Sequence, residues 1–143
     1  MKGFTLIELL LSAALIALIA GLSAPVYQSF QVKNDLDVAQ NTIGQTLRRA
    51  QILSQSVDGD VSWGVKIQTG SIILFKGAAY AARDTGFDEI FDVPPVIIPS
   101  GPAEIVFAKF SGLPQSTGII TLTASRINEV RIISINEKGT VEY

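Results

Sequence analysis

Apolar residues run almost unbroken through the front of this chain: between Phe4 and Val32 the single charge is Glu8. Residues 4–24 as a helix would span about 31 Å, enough to cross the hydrocarbon core of a bilayer. Lys2 stands before this stretch, and Lys33, Asp35 and Asp37 follow it. The positive-inside rule therefore puts the N-terminus in the cytoplasm and the rest of the chain outside. Pro25 lacks an amide hydrogen and follows Gly21 closely, so a kink is expected there, and the helical pattern then resumes. Leu36, Ala39, Ile43, Leu47, Ala50, Leu53 and Val57 recur at spacings of three and four, with Asn34, Gln40, Asn41, Gln45, Arg48 and Arg49 between them. That spacing predicts one buried stripe, ending near Val57, where Asp58-Gly59-Asp60 supplies a stop. The first half of this helix is apolar all round and the second half on one face.

Beyond residue 60 the period becomes two. Val61, Trp63, Val65 and Ile67 alternate with Ser62, Gly64 and Lys66, which predicts a half-buried strand. After Thr69-Gly70, residues 71–76 are rich in isoleucine and predict a strand buried on both faces or twisted. Residues 105–110 and 119–124 predict two more strands, and 130–135 with 140–143 a closing hairpin around Glu137-Lys138-Gly139. The stretch holding Arg83, Asp84, Asp88, Glu89 and Asp92, then Pro94-Pro95 and Pro99, predicts an irregular excursion. A helix followed by antiparallel strands is an α+β order: a long helix, part membrane and part amphipathic, packed on a small antiparallel sheet domain.

Composition removes most chemistry. The 143 residues include no histidine and no cysteine, which excludes a Ser-His-Asp triad, a Cys-His pair, a zinc ribbon and disulfides. No phosphate loop or catalytic dyad is present either, so neither an enzyme nor a cofactor is expected. Eleven basic against thirteen acidic side chains leave a net charge of −2. Lys33, Arg48 and Arg49 could begin a nucleic-acid patch, but the domain is acidic and carries no basic cluster, so nucleic acid is not the expected partner. The acidic stretch around Asp88 could hold calcium through carboxylate oxygens, or be a solvated loop. Its spacing is no EF-hand, and no metal site is assigned.

The 48% hydrophobic content and mean hydropathy of +0.38 reflect the front of the chain. A cleaved secretory signal would place Ala24 at the cut, yet Leu22 is too large for its position, Pro25 would follow directly, and Glu8 interrupts the approach. The run Gly3-Phe4-Thr5-Leu6-Ile7-Glu8 followed by Leu9, Leu10 and Leu11 instead resembles the class III signal of type IV pilins and type II secretion pseudopilins. The resemblance implies a prepilin peptidase that cuts between Gly3 and Phe4 and methylates the new N-terminal Phe4. It implies that Glu8 serves assembly with other pilin or pseudopilin subunits. Independently, a glycine at a scissile bond admits a protease closely, and a carboxylate inside an apolar helix costs about 2.5–3.5 kcal/mol on insertion scales. A snorkelling acid near the helix end is the competing reading of Glu8. Ala13, Ala17 and Gly21 form a small-xxx-small line, either a helix-packing seam or the ordinary abundance of small residues in membrane helices.

The strand Trp63-Gly64-Val65-Lys66-Ile67, Ile105-Val106-Phe107 before Ser111-Gly112, and residues 133–135 before Gly139 resemble the minor pseudopilins of the GspH and FimT type. On that resemblance, residues 1–3 are a leader, 4–25 the membrane and filament-core helix, and 26–143 the pilin-like domain, with helix to 57 and β structure over 60–143. The implied role is a structural subunit, stored in the cytoplasmic membrane with its domain outside and then assembled into a helical filament. A DNA-binding competence pilin or a surface adhesin is the alternative.

Overall fold

The computed structural model describes residues 3–56 and 60–143, with the side chains of 22–25 outside the description. One helix, α1, occupies Leu6–Gln55, fifty residues and about 75 Å. Ser56 caps its end, the amide donating to Ile52 O at 2.8 Å. The helix ends at Gln55, and Val57 with the stop expected at Asp58-Gly59 lies outside the described residues. So does the side chain of Pro25, and with it the expected kink, although the backbone is helical throughout. The last turn of α1 is tied to the sheets: Ser54 Oγ accepts the Trp63 amide at 2.9 Å, and Ser54 O accepts the Phe110 amide at 3.1 Å.

Among the described residues, eight strands form two four-stranded antiparallel sheets. The first comprises β1 (Trp63–Gln68), β2 (Ser71–Lys76), β3 (Asp84–Asp92) and β5 (Glu104–Phe107) in the order β3-β2-β1-β5. The second comprises β4 (Ile97–Ser100), β6 (Gly118–Ala124), β7 (Glu129–Ile135) and β8 (Val141–Glu142) in the order β4-β6-β7-β8. Both sheets turn one face to the second half of α1. Leu36, Ala39, Ile43, Leu47 and Ala50 are buried there with Val65, Ile67, Phe107, Ile120, Leu122 and Ile133. The expected stripe is thus the core, with Leu53 packed at its margin. Fold class and architecture are those the periodicity predicts.

Three local expectations need correcting. Residues 84–92 are not an excursion but the nine-residue strand β3, at the edge of its sheet. Its acids mark an edge strand, where charge discourages further pairing. Pro99 likewise lies in β4, at the edge of the second sheet, where a missing amide is tolerated. The strand expected to reach Phe110 stops at Phe107, because residues 108–112 fold into a turn in which Phe110 takes φ +67°.

Nor is β1 simply half-buried, since Trp63, Gly64 and Val65 are all covered. Its outer face belongs to a second, smaller cluster. Ile73, Phe75 and Val106 are buried but stand apart from the helix-facing core. A single 3₁₀ turn at Tyr80–Ala82 folds over them, with Tyr80 edge-on to Phe75 at 5.5 Å. Gly64 makes room: a Cβ there would lie 2.5 Å from the Phe75 ring and 3.0 Å from Ile105 O.

Candidate functional site: the front of the helix

Gly3 and Phe4 precede the helix in non-helical, exposed backbone. Thr5 is the N-cap, with φ −79° and ψ 152°, and its hydroxyl accepts the Glu8 amide at 3.3 Å. Thr5 and Glu8 thus hold the N-cap and N3 positions of a capping-box sequence. That is a local role for these residue types which the sequence reading overlooked, although the Thr-x-x-Glu spacing carries it. The Ser12 hydroxyl donates to Glu8 O at 2.7 Å and to Leu9 O at 3.0 Å. The helix therefore starts two residues past the Gly3–Phe4 bond and leaves that bond outside helical structure, where a protease can reach it.

Thr5 and Glu8 aside, no packing among the described residues accounts for the residue types found here. A Cβ at Gly3 would meet no atom within 4 Å, and the same holds at Gly21. Phe4 is 83% exposed, and Leu6, Ile7, Leu9, Leu10, Leu11, Leu15 and Leu18 are all exposed. Ala13, Ala17 and Gly21 lie exposed along one side of α1, so the small-residue line has no partner among the described residues. An apolar helix surface of this length, with none of its most apolar window buried, is long and apolar enough to cross a membrane.

The other candidate residues lie far from this end. Just before β3, Arg83 Nε donates to Asp88 Oδ2 at 2.8 Å. That hydrogen bond raises the Arg83 pKa against the opposing effect of burial. Arg49 clamps Glu89 with two bonds of 2.6 Å, and Asp84 accepts the Gly86 amide. Of the carboxylates weighed as calcium ligands, Asp84, Asp88 and Glu89 are thus each engaged within the fold, and no group of three acids able to hold a metal occurs among the described residues. Of the cations weighed for nucleic acid, Lys33 pairs with Glu129, Arg49 with Glu89, and Arg48 bonds Val141 O and the Tyr143 hydroxyl.

One cluster went unrecognised in the sequence. Arg131 Nε meets Asp37 Oδ1 at 2.7 Å, Arg131 Nη1 meets Glu129 at 3.2 Å, and Lys33 meets Glu129 at 2.9 Å. Hydrogen bonds from Lys33 first and Arg131 second hold the Glu129 carboxyl below the usual range, and those to Asp37 and Glu129 raise Arg131. These four side chains fasten β7 to the first turns of α1 beyond its apolar half. Lys33 and Asp37 show a helical i, i+4 spacing, but their strand partners are remote in sequence.

Compared with known families, residues 1–24 match the model described as Prokaryotic N-terminal methylation motif. No solved structure matches the chain. The front thus carries the methylation motif typical of type IV pilins and pseudopilins, which implies processing by a prepilin peptidase, a structural role and membrane anchoring before assembly.

Proposed function

We propose that this chain is a minor pseudopilin or minor pilin of the GspH and FimT type, a structural subunit of a type II secretion pseudopilus or type IV pilus. Residues 1–3 are removed by cleavage between Gly3 and Phe4, and Phe4 is then N-methylated. Residues 4–25 wait in the cytoplasmic membrane and later enter the filament core, while residues 26–143 form the displayed domain. The observation that carries this reading is the contrast along α1: an exposed apolar half headed by the methylation motif continues without a break into a half buried in its own domain. Pairing of Lys33, Arg48 and Arg49 within the fold weighs against the DNA-capturing alternative.

Glu8 acts between subunits. Cleavage leaves a positive amine on Phe4 at the start of an apolar helix, and Glu8 is the acid at that depth. An intermolecular pair rewards docking of a correctly placed subunit and leaves both charges unpaired in a misplaced one. Glu8→Gln keeps the shape and removes the charge, so the variant should be cleaved and inserted yet enter filaments poorly. Scored beside the same change in the major subunit, incorporation at the parent level would contradict the pairing.

A further inference from the structure

The part of the domain closest to the membrane half of α1 is the turn 125–128 between β6 and β7. Successive contacts map the domain along the helix: Glu129 reaches Lys33, Arg131 reaches Asp37, Ile132 O accepts from Gln40, and Val141 O accepts from Arg48. Below them all, Arg126 and Ile127 line an open cleft of ≈410 Å³ with Gln28, Ser29 and Val32 of α1. If residues 4–24 fill the hydrocarbon core, Gln28 and Ser29 stand about 6–8 Å beyond it, within the headgroup layer. Tyr27 and Phe30 are 72% and 68% exposed at the same level, where aromatic side chains favour the membrane–water boundary.

Arg126 is exposed and makes no ion pair or hydrogen bond among the described residues. The neighbouring cations differ, because Lys33 and Arg131 are already engaged with Glu129 and Asp37. An unpaired guanidinium on a long flexible stem, beside a cleft that opens at headgroup depth, is built to meet phosphate. We propose that this cleft binds the headgroup of an anionic phospholipid through Arg126 and seats the domain on the outer surface of the membrane before extraction. Because release must then break that contact, the lipid helps set how readily a stored subunit leaves the bilayer. The proposal rests on the membrane-anchored reading above.

The absence of cysteine and histidine makes the test direct. A nitroxide on Ser125→Cys in the full chain reports proximity to a nickel-chelating lipid, in vesicles of phosphatidylcholine alone or mixed with phosphatidylglycerol. Phosphatidylglycerol should raise the ratio of seated to lifted domain about fivefold, the gain expected for one cation at an anionic surface. Arg126→Gln should abolish that gain and Arg126→Lys should retain most of it. A response independent of phosphatidylglycerol, or one that survives Arg126→Gln, overturns the proposal. So does an Arg126-dependent change produced in phosphatidylcholine vesicles by inorganic phosphate and not by chloride at equal ionic strength, which would make the cleft a soluble-phosphate site. Resistance to carbonate extraction scores insertion separately. A chain that fails to insert overturns both this proposal and the anchored reading, whereas an inserted chain blind to lipid charge overturns this one alone.

Discussion

The two halves of α1 share a backbone and differ in what their side chains meet. Leu47, in the second half, is fully buried among residues of both sheets, while Leu15, in the first, is 60% exposed. The first half carries Glu8 as its single charge, whereas the second sets Lys33, Asp35, Asp37, Arg48 and Arg49 among its leucines, isoleucines and alanines. Arrangement follows composition: the second half confines its buried apolar residues to a stripe matched to one domain face, and the first displays its apolar residues all round. The stripe finds its partner within the chain. The all-round surface has none among the described residues, and it is long and apolar enough to face lipid.

The sharpest way to break this comparison is to place the same charge in each half. Leu47→Asp buries a carboxylate with no partner, and a fragment beginning at Gln28 should lose its cooperative thermal transition. Leu15→Asp should leave the melting of the domain in the full chain unchanged but impair membrane insertion, at a cost of about 2.5–3.5 kcal/mol. Equal melting temperatures for the Leu47→Asp fragment and its parent would show that the stripe is not the core.

A smaller effect is expected at Gly64, on the far side of the first sheet from the helix. Gly64→Ala pushes a methyl into the Phe75 ring and should destabilise the fragment by about 1–3 kcal/mol, measured by urea unfolding. Parent-like stability would mean that Tyr80 and Phe75 shift freely, and that the outer cluster adds little to the domain.

The smallest effect concerns the ionic fastening where the halves meet. Glu129 has a carboxyl pKa lowered in the fold, so its stabilising contribution is complete above the ordinary glutamate range and is lost as pH falls through the lower folded value. Glu129→Gln should therefore melt below the parent at neutral pH, with the gap closing as the solution is acidified through that window. A gap that widens on acidification would contradict the assignment of the pair.

The helix and its buried stripe were legible because their signal is local: spacing by three and four needs no knowledge of the partner surface. Strands β1, β2 and β6 were legible for the same reason, through alternation or a short apolar run. Strands β3 and β4 were missed because what permits Asp88 or Pro99 in a strand is a place at the edge of a sheet, and edge position is a tertiary fact. The outer cover over Gly64 and Phe75 was hidden likewise, since Tyr80 arrives from a turn with no periodic signal. At the front, Gly3, Phe4 and Glu8 stood out by contiguity, and Thr5 escaped notice because its cap matters only once the helix start is fixed.

The central claim is that the exposed front of α1 is a substrate for processing and assembly and not a segment to be discarded whole. Intact mass of the full chain, produced with and without a prepilin peptidase, tests it most directly. With the peptidase, the account predicts a membrane-associated chain lacking residues 1–3 and carrying one added methyl group on Phe4. A mass matching cleavage after Ala24, releasing the entire apolar half, would contradict it.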